Sequence, residues 1–156
     1  MYRYLTLCSA ITFALFLSSC GISPTASQSL GVNNPQAAAP GTDSTCPLYF
    51  PSENLCAGIT WTAGPTADGE SSFEVSFWNK ETGTPTGPLV EPSAQVGSFI
   101  RMTCCGSLSF PTVNKTEAGK YSVTKVSFLP GTWEVFVQLK NGTSIEKQFI
   151  TVKLNE

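Results

Sequence analysis

From Cys46 onward, apolar residues recur at every second position, and no window sustains them at i, i+3, i+4 and i+7 between capping residues. The pattern predicts an all-β domain. Strands are expected over Leu55 to Ala63, Ser72 to Asn79, Ala94 to Met102, Lys120 to Phe128, Thr132 to Lys140 and Thr143 to Leu154, with a weaker one near Leu108 to Asn114. Their inward faces would be Ile59 and Trp61; Phe73, Val75 and Phe77; Val96 and Ile100; Tyr121, Val123 and Val126; and Trp133, Val135 and Val137. Short, evenly spaced strands of this kind predict a β-sandwich.

Turn chemistry divides the strands in the same places. Asn141-Gly142 is the strongest short hairpin signal in the chain, and Pro130-Gly131 separates another pair, so the last three strands read as a meander. Between Lys80 and Pro92 the residues Gly83, Pro85, Gly87, Pro88 and Pro92 forbid a regular strand and predict a long connection at one end of the sandwich.

The first residues follow a different pattern. Arg3 and the amino terminus form a small positive region, followed by an apolar run from Leu5 to Leu17. That run is shorter than the roughly 20 residues needed to span a bilayer and reads as a signal peptide over residues 1–19. It ends in Leu17-Ser18-Ser19-Cys20, which resembles the lipobox of bacterial lipoproteins: small residues admit the signal peptidase, and the Cys20 thiol accepts a diacylglycerol. Gly21 stands where an Asp would retain the protein at the inner membrane, so the expected location is the cell envelope, lipid-anchored at the outer membrane. Residues 20–45 are rich in Ser, Pro, Ala, Gln, Asn, Gly and Thr and read as a flexible tether, disordered for lack of apolar surface to bury. Residues 46–156 are then one folded domain. The membrane is the first expected partner, reached through the acyl chains rather than by the protein surface.

Composition narrows the function. The chain has 156 residues, 13% of them charged, a formal charge of -2 and no histidine. Without a basic stripe there is no electrostatic support for nucleic-acid binding. The absence of histidine removes Ser-His-Asp and Cys-His catalysis and His-ligated metal sites. No pair of acids is marked out by spacing, and Glu70, Glu74, Glu81 and Glu91 read as solvated charges. The chain is expected not to be an enzyme.

Several short elements occur in a fixed order: Ile59-Thr60-Trp61, Gly64-Pro65, Phe77-Trp78, Phe99-Ile100-Arg101-Met102-Thr103-Cys104-Cys105-Gly106, Gly119-Lys120-Tyr121 and Pro130-Gly131-Thr132-Trp133-Glu134. In this order the chain from Leu48 to Leu154 resembles a YtkA-like domain. That family is an immunoglobulin-like sandwich of about seven strands in exported bacterial proteins, related to the FixH-like group and often linked with copper. The resemblance implies that the Gly-x-Tyr and Pro-Gly-x-Trp-Glu elements are scaffold. The family's Met-x-x-Met-x-His loop falls on Met102, Cys105 and Ser107, so only the first Met is kept, Cys and Ser replace the other two, and Cys104 adds a thiol.

Four cysteines follow the signal and lipidation site: Cys46, Cys56, Cys104 and Cys105. They allow three full pairings, and an exported domain favours disulfides. Cys46 and Cys56 lie close to the first strand and are the candidate bridge. Cys104 and Cys105 are adjacent, so a bond between them would close a strained ring; they either stay reduced or one pairs with Cys56. Alternatively Met102, Cys104 and Cys105 form a soft-metal site for Cu(I), since thiolates and thioethers suit that ion, provided the loop bends at Gly106. Of the aromatic residues, Trp61, Phe77 and Trp133 read as core, whereas Trp78 points to the other face and, with Phe99, would form an exposed patch. Two functions follow as expectations: a tethered, non-enzymatic binding or accessory module that meets a protein partner or ligand, or a copper-binding, metallochaperone-like protein using Met102 to Cys105.

Overall fold

A computed structural model describes residues 45–155. The expected signal peptide, Cys20 and nearly all of the tether lie outside the described residues. The strands are β1 (Leu48–Phe50), β2 (Leu55–Ala63), β3 (Glu70–Asn79), β4 (Gln95–Met102), β5 (Leu108–Ser109), β6 (Thr112–Glu117), β7 (Lys120–Ser127), β8 (Gly131–Asn141) and β9 (Ser144–Leu154). They form two antiparallel sheets, ordered β1-β2-β3-β7-β6 and β5-β4-β8-β9. Removing β1 and the two-residue β5 leaves four strands facing three, in the strand order of an immunoglobulin-like sandwich. The all-β reading therefore holds, with nine strands where about seven were expected.

Every inward position read from the sequence lies in or against one apolar core between the sheets. Phe73, Val75, Phe77, Ile100, Val123, Val126, Val135 and Val137 are buried, and Ile59, Trp61 and Val96 pack against them. Aromatic rings tie the two layers: Trp61 meets Phe73 and Phe128, and Phe128 meets Trp133 edge-on at 5.5 Å.

Three differences have physical causes. The meander is broken, because β7 belongs to the first sheet and only β8 and β9 form a hairpin. Proline marks the crossing: Leu129-Pro130 carries the chain from one sheet to the other, as Phe110-Pro111 does between β5 and β6, and a proline has no N–H to continue a ladder. The weak strand near Leu108 to Asn114 is consequently two strands in different sheets. β1 is new, a three-residue strand paired with Leu55–Ala57.

The acids do not all behave as solvated charges. The Glu91 carboxylate accepts from the Gly119 N–H at 2.6 Å and the Tyr121 hydroxyl at 2.6 Å, and pairs with Lys115 at 2.9 Å. Glu91 lies in the long connection, so these contacts hold it to the β6–β7 turn. Gly119 must be glycine there: its φ is 72°, and a Cβ would come within 2.7 Å of the Val90 carbonyl oxygen. Partial desolvation pushes the Glu91 carboxyl up, but the hydrogen bonds from Tyr121 and Gly119, with the hydrogen bond and charge of Lys115, outweigh it and hold the pKa at about 2 against an ordinary 4.5. Burial, then the Glu91 carboxylate, pushes the Tyr121 hydroxyl up. Because the folded pKa is depressed, the stabilisation is complete above about pH 4.5 and is lost as pH falls toward 2. Glu91→Gln is expected to lower stability by about 1 kcal/mol at neutral pH, since the carboxylate is partly in water. Urea titrations of both proteins from pH 7 to pH 2 should show the difference closing at the acid end; a constant difference would count against the assignment.

Candidate functional site

The sulfur-bearing residues sit where β4 turns into β5. Both ladders run into this turn: the Met102 N–H donates to the Ser107 carbonyl at 2.9 Å on the β5 side, and the Thr103 N–H donates to the Thr132 carbonyl at 3.0 Å on the β8 side. The Gly106 N–H then folds back to the Met102 carbonyl at 3.0 Å. Gly106 has φ of 69°, a left-handed conformation that glycine adopts without steric cost, and it supplies the bend that a sulfur site requires.

The bend brings together side chains that an extended strand would send to opposite faces. Cys105 Sγ lies 3.6 Å from Met102 Sδ and 3.3 Å from Ser107 Oγ. Met102 is half-buried, its methyl lying over Gly131 at a distance where a Cβ would collide at 2.7 Å. Its thioether is thus backed by β8. Cys104 and Cys105 are exposed and reduced.

The two thiols differ electrically. The Ser107 hydroxyl and backbone N–H, joined by the Cys104 thiol, hold the Cys105 thiol below its ordinary range. Its hydrogen bond to Cys105, with partial desolvation and the adjacent Cys105 charge, pushes Cys104 up. The turn therefore offers two thiols, of which Cys105 is the more acidic, and a thioether. Among the described residues no three His, Cys, Asp or Glu side chains gather into a metal-binding group; the donors at this turn are the two thiols, the thioether and the Ser107 hydroxyl. Such a set suits a soft monovalent ion and lacks the imidazole or carboxylate donors that usually complete a tetrahedral zinc shell.

The other residues singled out in the sequence are placed as follows. Cys46 and Cys56 are bridged. Trp78 does point to the outer face of its sheet, as expected, but it is buried against that bridge and Tyr49. It forms no exposed patch, and Phe99 lies on the other sheet. Ser107, the fourth side chain of the turn, is a loop position in the sequence, but its role as a hydrogen-bond partner of Cys105 was not read there; the available signal was a Cys-Gly-Ser stretch in which the glycine folds the hydroxyl back. Comparison with protein-family models and with curated proteins gives no match.

Proposed function

We propose that this chain is an exported, non-enzymatic binding module, anchored through acyl chains on Cys20, whose exposed sulfur turn takes Cu(I). The carrying observation is the 3.6 Å approach of Cys105 Sγ to Met102 Sδ, on a turn that also presents Cys104. Cys105 acts as the thiolate, Met102 as a soft neutral donor fixed against β8, and Cys104 as the further thiol within the same turn. A single ion with few ligands at the surface suits hand-over to a partner rather than permanent storage. The kinship to YtkA-like domains belongs to the same reading, supported by the scaffold positions: Trp133 is in the core, Gly119 is in a tight turn, and the strands run from Leu48 to Leu154.

The reduced domain is expected to bind one Cu(I) in competition with a chelating indicator. Cys105→Ser should weaken binding at least tenfold, about 1.4 kcal/mol, and more than Met102→Leu, because thiolate is the stronger ligand. Cys105 is exposed on the turn, and Met102→Leu keeps the apolar volume that packs at the end of β4, so folding should be kept. Superimposable titration curves for the wild type and Cys105→Ser would sink the copper reading.

The anchor is tested separately. Cys20→Ala is expected to leave the precursor unprocessed or to move the domain from the membrane fraction to the soluble fraction. Unchanged processing and fractionation would show that Cys20 carries no lipid.

A further inference from the structure

The outer face of the β5-β4-β8-β9 sheet joins positive charge to exposed apolar side chains. Trp133, Val135, Val137 and Leu139 of β8 point inward, so the alternate positions point out, and the cross-strand register extends this to β4, β5 and β9. Of the chain's 9 Lys and Arg residues, Arg101, Lys140, Lys147 and Lys153 lie on this face. Among the described residues Glu134 is its one acid, and Arg101 neutralises it. Three lysines are left uncompensated on a chain whose net charge is -2. They are spread rather than gathered about one point: Lys153 lies opposite Thr132, Lys147 opposite Gln138, and Lys140 opposite Gln95, which covers about 27 Å along β8.

A row of phenylalanines crosses the same face. Phe99 stacks on Phe136 at 4.3 Å with the ring planes 7° apart, Phe136 meets Phe149 at 5.1 Å, and Phe110 stands beside Phe99 at 6.2 Å. Phe99 and Phe136 turn their ring faces to each other and present edges outward, so they leave no open ring on which a sugar could stack. At the β5 margin the row ends in water. Phe136 is buried, whereas Phe110 is 75% exposed and Leu108, opposite Arg101, is 54% exposed. These are two of the three large apolar side chains that the described residues leave exposed. Single exposed apolar residues are ordinary, but two side by side at the margin of a positive face are a combination that points to a ligand.

We propose that this face docks on an anionic bilayer, with Lys140, Lys147 and Lys153 at the level of the phosphates and Leu108 and Phe110 entering the acyl boundary. The pairing of β4, β8 and β9 runs without a register shift, which keeps the face regular, and spread charge on a regular face fits a surface better than a single small ligand. Charge decides against a second copy of this chain, because face-to-face contact would set the same lysines against one another. Each lysine near an anionic surface strengthens binding about fivefold, so three contribute on the order of 100-fold. That is weak for a free protein and sufficient for one already held near the membrane. Docking does not rest on the acyl anchor proposed at Cys20, which only raises the local concentration of bilayer. It requires neither the sulfur turn nor copper.

The test is co-sedimentation of the mature chain carrying Cys20→Ser, made without its signal peptide and so without acyl chains, with vesicles of phosphatidylcholine alone or mixed equally with phosphatidylglycerol. Binding is expected on the mixed vesicles, lost at high salt, and absent on phosphatidylcholine. Lys140→Gln, Lys147→Gln and Lys153→Gln together are expected to weaken it at least about tenfold, and so is Leu108→Ser with Phe110→Ser. Lys125→Gln on β7, in the other sheet, removes a like charge and should change nothing. Thermal melts check that each variant folds. Should the Leu108→Ser, Phe110→Ser variant fail to fold, Phe110→Trp carries the same information: its emission is expected to shift to the blue on the mixed vesicles, and unchanged emission overturns insertion. Four results overturn the proposal. These are no binding to the mixed vesicles, equal binding to phosphatidylcholine, wild-type binding by both multiple variants, and loss of binding in the lysine variant alone. In the last case, displacement of the vesicles by polyglutamate would make this a face for an acidic protein. Fractionation of Cys20→Ala reads the acyl anchor by itself, so the two readings fail separately.

Discussion

Trp133→Ala is expected to remove about 3–5 kcal/mol of folding free energy, the range for deleting a large buried aromatic side chain. Trp133 begins the inward row of β8 and is 4% exposed. It is in edge contact with Phe128 of the other layer, and its indole N–H donates to the Leu129 carbonyl at 2.8 Å. That bond satisfies a carbonyl in the segment where the chain crosses between sheets, so the side chain both fills the core and fixes the crossing. Trp133→Phe keeps most of the apolar contact and loses the hydrogen bond, with an expected loss of about 1–2 kcal/mol. Urea unfolding measures both, read as a midpoint shift at unchanged slope. A loss below about 1.5 kcal/mol for Trp133→Ala would mean that the core closes over the cavity and that the crossing is held by other contacts. Because Thr132 accepts the hydrogen bond from Thr103 that seats the sulfur turn, Trp133→Ala should also weaken Cu(I) binding, whereas Trp133→Phe should not.

The features legible in the sequence were those set by local pattern. Period-two burial located six strands, β2, β3, β4, β7, β8 and β9, because each is long enough to show alternation, and Asn141-Gly142 marked the β8–β9 hairpin although Asn141 itself pairs with Ser144 and the two turn residues are Gly142, at φ of 59°, and Thr143. Pro130-Gly131 gave a break but not its direction. A proline says that pairing stops, and whether the next strand returns to the same sheet depends on what the rest of the chain has already covered. β1 is too short for alternation to register. Nonlocal partners were equally hidden: Glu91 reads as a surface charge until Gly119 and Tyr121 come into view, and Trp78 reads as exposed until the Cys46–Cys56 bridge covers it. The sulfur turn was only partly legible. Its residue types and the need for a bend at Gly106 could be read, but the approach of Met102 to Cys105 depends on β8 supporting the methionine. That Arg101, Lys140, Lys147 and Lys153 share the outer face of one sheet was not legible at all, since only the register of β4, β8 and β9 puts them there.

Reducing the Cys46–Cys56 bridge is expected to lower stability by about 3 kcal/mol. The two residues are 10 apart in sequence, and closing a ring of that size restricts the unfolded chain by about 2.5–3 kcal/mol in the chain-entropy account. Packing adds to this. Cys56 pairs across strands with Trp78, and Cys46, Cys56 and Trp78 form a small cluster on the outer face of the first sheet, separate from the main core. The bridge is therefore the roof over Trp78, and it ties the segment entering β1 to β2. Cys46→Ala with Cys56→Ala should reproduce the effect of reductant on the wild type, and reductant should have no further effect on the double variant. Cys104 and Cys105 serve as the internal control, because they are exposed and reduced: alkylation without reductant should label those two and leave Cys46 and Cys56 joined in a peptide map. Alkylation of Cys46 and Cys56 in the oxidised protein, or a loss under about 1 kcal/mol in the double variant, would show that the strand pairing of β1 and β2 holds this edge without the bridge. A loss well above 4 kcal/mol would exceed what ring closure supplies and would assign the excess to Trp78, whose indole the sandwich would then have to cover by other means.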